Sequence, residues 1–163
     1  YFLTPATVSL AVPLYRQLNL LKRYPAAILG GIAAGVAAAM GSIFVLSLVF
    51  GLTHEQYVTL LPKSITTAIG MGVSEKMGGI PALTIAAICI TGITGAILAE
   101  AVCKLFRIEE PVAKGIAIGT GAHALGTSKA MELGEVEGAM SSLSIVVTGI
   151  LTVLAVSVFA DFI

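Results

Sequence analysis

The sequence predicts an all-α, polytopic integral membrane bundle with about three full spans and two or three broken or re-entrant segments. Three observations predict it. Three long apolar runs are almost free of charge. Charged residues make up 11% of the 163 positions, where a soluble domain carries about 25%. The segments between and before the runs are also apolar, yet Pro, Gly and hydroxyl residues interrupt them. A soluble fold of this length has too little interior to hide a composition that is 57% hydrophobic, with mean hydropathy +1.02. A bilayer solvates such side chains instead.

The first run, residues 26–52 (AAILGGIAAGVAAAMGSIFVLSLVFGL), carries no charge. The second, residues 82–103, carries only Glu100, and the third, residues 143–163, only Asp161. Each exceeds the roughly 20 residues a helix needs to cross a bilayer. Each must be helical, because an unpaired strand in lipid leaves its backbone groups unsatisfied. Pro25 and Pro81 stand at or just before the first two starts, where proline is tolerated. The interrupted segments are residues 2–15, 57–73 and 112–131, and none makes a comfortable span. Interrupted backbone at membrane depth survives only when buried in protein or lining a wet cavity. The polar stretches 74–79 and 132–138 read as solvated loops.

Charge decides how the interrupted segments thread. If the second and third are hairpins, Arg16, Lys22, Arg23, Lys104, Arg107, Lys114 and Lys129 share one side, against Lys63 and Lys76 on the other. If each crosses once, the two sides carry nearly equal numbers. The positive-inside bias favours hairpins. A shift of 57 residues lays Pro5 on Pro62, Gly35 on Gly92 and Gly149, and Ile-Cys-Ile-Thr-Gly-Ile (88–93) on Ile-Val-Val-Thr-Gly-Ile (145–150). This points to an internal, and for a transporter inverted, repeat.

Two stretches carry chemistry. In residues 60–73 (LLPKSITTAIGMGV), Pro62 breaks a helix, and Lys63, Ser64, Thr66 and Thr67 follow at once. A helix restarting there directs free N–H groups, hydroxyls and an ammonium at one spot, which is what replaces water around a carboxylate. The plainer reading is a Lys reaching the interface with hydroxyls bonded to their own helix. In residues 115–128 (GIAIGTGAHALGTS), four glycines accompany Thr120, His123, Thr127 and Ser128. His123 could donate to an anion or couple transport to protons or a cation, or simply pack against a carbonyl. The stretch lacks the Gly-Lys-Ser/Thr ending of a nucleotide loop. Glu100 and Lys104 form an i,i+4 pair near a helix end. Zero net charge removes the basic field that nucleic acid would need. HExxH, GxSxG, CxxC and Cys/His metal spacings are all missing, so no enzyme, metal or cofactor is expected.

At these stretches the sequence resembles the LrgB family, which includes CidB-type proteins. The likeness is carried by residues 4–25 (TPATVSLAVPLYRQLNLLKRYP), 60–84 (LLPKSITTAIGMGVSEKMGGIPALT) and 109–143 (EEPVAKGIAIGTGAHALGTSKAMELGEVEGAMSSL). The resemblance implies one of two functions. One is transport of small monocarboxylates such as pyruvate, glycolate, glycerate or lactate, by alternating access. The other is a holin- or antiholin-like role modulating murein hydrolase activity and cell lysis with an LrgA-type membrane partner. It also implies a bacterial cytoplasmic membrane or, for a plant chain, the chloroplast inner envelope, where LrgA-like and LrgB-like halves are fused. Two departures stand out: further helices that usually precede the TPATV stretch are not in this sequence, and Ala68 replaces a frequent proline. The chain opens at Tyr1 without an initiator Met, as expected of a fragment of a longer protein.

The residues favour transport. The expectation is one LrgB-like transmembrane domain over residues 1–163, assembling as a homo-oligomer. Lys63, Ser64, Thr66 and Thr67 should face His123, Thr127 and Ser128 near mid-membrane and bind a small carboxylate.

Overall fold

The computed structural model describes Tyr15, Arg16 and residues 18–163. The interrupted segment expected over residues 2–15 lies, apart from Tyr15, outside the described residues. Among those described there is no strand, and the chain runs as helices α1 (Leu18–Arg23), α2 (Pro25–Phe50), α3 (His54–Leu60), α4 (Thr67–Lys76), α5 (Pro81–Leu105), α6 (Pro111–Leu133) and α7 (Glu135–Ala160). Proline opens α2, α5 and α6, where its missing N–H costs nothing. Gly51 ends α2 in the left-handed conformation (φ 61°) and donates its N–H to Ser47 O. Thr53 starts α3 with a capping box: its hydroxyl accepts from Gln56 N, and Gln56 Oε1 accepts from Thr53 N.

Three helices, α2, α5 and α7, are long and apolar enough to span a bilayer. At about 1.5 Å per residue their 26, 25 and 26 residues exceed the roughly 30 Å hydrocarbon core. Large apolar side chains such as Leu48, Ile97 and Leu154 are exposed on all three, as lipid-facing surface requires. Ile28 and Ile32, early in α2, cluster with Ala139 and Met140, early in α7. Met40 and Ile43, late in α2, cluster with Val156 and Ala160, late in α7. The two helices are therefore parallel, and α5 runs against them.

The interrupted segments are hairpins. Helices α3 and α4, of 7 and 10 residues, are each too short to cross. The chain leaves α4 beside the place where it entered α3: Ile80 N donates to Thr59 Oγ1 at 2.8 Å, and Thr84 Oγ1 lies 2.9 Å from Thr59 O and 2.7 Å from Ser74 Oγ. This polar staple closes the open end of the first hairpin. The second hairpin is α6, whose helical geometry fails at His123 (φ 42°, ψ −139°). Before His123 the chain runs parallel to α7, with Gly115 against Met140 and Gly119 against Ser144. After it the direction reverses, with Thr127 bonded to Ser141 and Met131 against Gly138. Gly126 packs on Ile118 and Ala122 of the other limb, an approach a Cβ would block at 3.0 Å from Ile118.

The hairpins enter from opposite faces. The second opens on the face where α2 and α7 begin and α5 ends, which also carries Lys22, Arg23, Lys104, Arg107, Lys114 and Lys129. Arg16 joins them through a 3.5 Å ion pair with Glu135. The first opens on the other face, where Lys76 lies and His54 Nδ1 meets Ile163 O at 2.7 Å. The positive bias of the sequence thus falls as the hairpin threading requires. The 57-residue shift also acquires a structural meaning. It carries the first hairpin, residues 54–76, onto 111–133, the bounds of α6, and carries α2 to within two residues of α5. The related units are inverted, since α2 and α5 are antiparallel.

One boundary is corrected. The third span begins at Glu135 rather than residue 143, and the loop expected over 132–138 is reduced to a single break at Gly134. Glu137 is buried in the first turn of α7 instead of solvated in a loop. Carboxylates there are favoured by the positive end of the helix. The other loop, 74–79, is largely the last turn of α4, with Glu75 and Lys76 exposed as expected.

Candidate functional site

The first hairpin turns over residues 61–66. Pro62 has no N–H to continue α3, and the chain makes two tight turns in which Lys63 N donates to Leu60 O and Ile65 N to Pro62 O. Thr66 is extended (φ −66°, ψ 147°), and α4 starts at Thr67 without a side-chain cap. The N–H groups of its first turn, with the positive end of the helix dipole, thus sit at the tip. Lys63 Nζ donates to Ser64 Oγ at 3.3 Å. Ser64 is buried, Lys63 and Thr66 are half-buried, and Thr67 is exposed.

The second tip is His123 itself. Its φ of 42° lies in the left-handed region that side chains with a Cβ rarely adopt. The residue is 5% exposed, and Nε2 lies 2.9 Å from Ile88 O on α5. A carbonyl only accepts, so Nε2 carries the hydrogen and the tautomer is set. Gly92, one turn further along α5, makes room for the ring: a Cβ there would stand 2.7 Å from Nε2. The Thr127 hydroxyl is saturated, lying 3.0 Å from His123 O and 2.7 Å from Ser141 Oγ. Ser128 is exposed and donates weakly to Ala124 O at 3.4 Å.

Both tips reach the same residue of α5. Ile88 holds His123 through its carbonyl, while its Cδ1 fills the space over Gly70 in α4, which itself lies against Pro62 O. The seven residues singled out in the sequence therefore form two groups at one depth. Lys63, Ser64 and Thr66 occupy one tip, and His123 with Thr127 occupies the other. The direct facing expected between them is not what the structure has: α5 and α7 stand between the hairpins, and among the described residues no hydrogen bond joins the groups. Thr67 and Ser128 point outward.

Sequence reasoning missed Thr148. It is 1% exposed on α7, and its hydroxyl has no hydrogen-bond partner among the described residues; Ser47 Oγ, at the end of α2, is the other such group. The available signal was the repeated Thr-Gly-Ile, which pairs Thr148 with Thr91. Sequence also underrated Glu100. Its Lys104 contact is 3.8 Å, whereas Lys129 of the second hairpin approaches to 2.8 Å and also reaches Glu132 at 3.1 Å.

The sequence profile of the LrgB-like family matches residues 1–162. The chain belongs to the LrgB family. Antiholin-like protein LrgB of Bacillus cereus (strain B4264) is 40% identical to it over 163 residues, which are all of this chain and 71% of that protein. Antiholin-like protein LrgB of Bacillus anthracis (strain CDC 684 / NRRL 3495) shows the same identity and coverage. No solved structure matches. With three apolar spans and this membership, the LrgB-family chain is an integral membrane protein. Its first tip gathers an uncapped helix start, a lysine and a buried hydroxyl.

Proposed function

We propose that this chain is a carrier for small monocarboxylates, of the pyruvate, glycolate, glycerate or lactate class, working by alternating access. The observation that carries the reading is the pair of inverted hairpins that both contact Ile88 of α5. Broken helices directing their ends at a mid-membrane point are how carriers build ion and substrate sites. Lys63, Ser64 and Thr66, with the free backbone N–H of Thr67, supply charge and hydrogen bonds to the carboxylate on one side. His123, Thr127 and Ser128 belong to the hairpin that closes the other. Proton or cation coupling through His123, a homo-oligomeric assembly and an LrgA-type partner are parts of the same proposal.

The test is uptake of labelled pyruvate and glycolate into proteoliposomes, with this chain alone and with an LrgA-type protein. Saturable uptake, competed by other short monocarboxylates and abolished by Lys63→Ala in a protein that stays monodisperse, is the expected result. Wild-type uptake by that variant would remove Lys63 from the site.

The antiholin-like name of the relatives is consistent with a second reading, a holin- or antiholin-like membrane protein modulating murein hydrolase activity and cell lysis with an LrgA-type partner. Leakage of unrelated dyes without saturable uptake would support it over the carrier.

A further inference from the structure

Helix α7 carries a run of buried hydroxyls: Ser141, Ser142, Ser144, Thr148 and Thr152. The first three are satisfied. Ser141 Oγ meets Thr127 Oγ1 at 2.7 Å, Ser142 donates to Gly138 O at 2.9 Å, and Ser144 donates to Met140 O at 2.8 Å. A helical Thr can always bond back to the carbonyl one turn earlier. Thr148 does not, although Ser144 O is that carbonyl, and among the described residues its hydroxyl has no partner at 1% exposure. Buried hydroxyls in native proteins find partners as a rule, so one that has none calls for a partner such as a water, an ion or a bound molecule.

Its location says which molecule. One turn before Thr148, Ser144 packs on Gly119 in the second hairpin. One residue after it, a Cβ on Gly149 would touch Ile69 Cδ1 at 3.4 Å, in the first turn of α4. Thr148 thus stands on α7 between the two hairpins, beside the uncapped start of a 10-residue helix. The inverted repeat places Thr91-Gly92 at the related position of α5, where Gly92 holds the His123 tip. Each central helix thus turns one Thr-Gly step toward a hairpin.

We propose that the Thr148 hydroxyl is a substrate-contacting group, donating a hydrogen bond to the carboxylate of a small monocarboxylate held against the N-terminus of α4. The proposal rests on the carrier reading. It adds a third wall, α7, to a site otherwise made of the two hairpins.

The experiment compares labelled glycolate uptake by the full chain in proteoliposomes with that of Thr148→Val, Thr148→Ser and Ser47→Ala. It also measures thermal unfolding of each, with and without glycolate. Valine keeps the shape and removes the hydroxyl. The half-saturating concentration should rise about tenfold or more, as loss of a hydrogen bond to a charged group does. The unfolding temperature without glycolate should hold or rise, and the glycolate-dependent increase should vanish. Thr148→Ser should stay within about threefold of wild type, since it keeps the donor. Ser47→Ala, which loses the other unpartnered hydroxyl at the C-terminal end of α2, should behave as wild type. Wild-type half-saturation and wild-type glycolate stabilisation in Thr148→Val would remove Thr148 and leave the carrier standing. A Thr148→Val protein that melts well below wild type would show the hydroxyl to be structurally partnered, which also overturns the proposal. Absence of saturable uptake in wild type and every variant would remove the carrier reading and this proposal with it.

Discussion

Replacing Gly92 by alanine would insert a Cβ into the wall that holds the second hairpin's tip. The new carbon would stand 2.7 Å from His123 Nε2 and 2.8 Å from Leu125 Cδ1, where carbon contacts are comfortable at about 3.5–4.0 Å. Leu125 is 43% exposed and can swing away. His123 cannot, because its ring is buried and held to Ile88 O at 2.9 Å. Overpacking of this kind costs about 1–3 kcal/mol, and prising Nε2 from its carbonyl costs about 1–3 kcal/mol more. Alanine's better helix propensity returns about 1 kcal/mol. The net loss should be about 3 kcal/mol, read from the midpoint of unfolding by a denaturing detergent in mixed micelles. Gly30→Ala and Gly41→Ala are the controls, since a Cβ at either meets nothing within 4 Å. They should be neutral or more stable by up to about 1 kcal/mol. In a His123→Ala background the cost of Gly92→Ala should shrink by about 0.5–3 kcal/mol, as expected for residues in contact. If Gly92→Ala is as stable as Gly41→Ala, the ring does not occupy the place described, and the account of the tip fails.

His123→Gly should be more stable than His123→Ala by about 1–3 kcal/mol, because the φ of 42° strains any residue with a Cβ; equal stabilities would place the chain reversal elsewhere. With Cys89 and Cys103 replaced by alanine, Glu109→Cys and Glu132→Cys should react with an impermeant maleimide from one side of the membrane and His54→Cys from the other. Labelling of Glu109→Cys and Glu132→Cys from opposite sides would make α6 a span and not a hairpin. Glu100→Gln should destabilise only slightly, since the Glu100 and Lys129 side chains are 41% and 30% exposed. The loss should fade in high salt; a larger, salt-independent loss would mean the pair is far better shielded than described.

The spans and the hairpins were legible for different reasons. An uncharged run such as residues 26–52 has no reading but a membrane helix, and Pro25 and Pro81 mark two of the starts within a residue. The hairpins were read from charge: nothing local in GTGAHALG says that the chain reverses at His123, but Lys114 and Lys129 had to share a face. The start of α7 was misread because Glu135, Glu137, Ser141 and Ser142 resemble a loop in sequence. The second hairpin and the helix backbone take up the two hydroxyls, and the two carboxylates lie in the first turn, at the positive end of the helix. Lys63, Ser64 and Thr66 were visible beside Pro62, while the distance between the two tips was not, since it depends on how α5 and α7 pack between them. Thr148 was unreadable for a related reason. In sequence it differs little from Thr94, which bonds to Ile90 O, and only packing shows which hydroxyl lacks a partner.

The order of hairpin and helix along the chain bears on how the protein is made. Each hairpin precedes the helix that shelters its end: α3 and α4 are finished before α5 exists, and α6 before α7. At about 5–20 residues per second, the 25 residues of α5 take on the order of seconds to emerge. Through that interval the Lys63 ammonium and the uncapped start of α4 lack the cover of α5 and cannot rest in hydrocarbon. The nascent hairpin must wait at the membrane surface or against the insertion machinery, and sink only when Thr84 arrives to close the staple with Thr59 and Ser74. The same wait recurs for Gly119 and Thr127 until Ser144 and Ser141 follow. Slowing translation just after residue 76 or residue 133 should therefore lengthen the protein's most vulnerable moments, and these are the natural points for quality control to act.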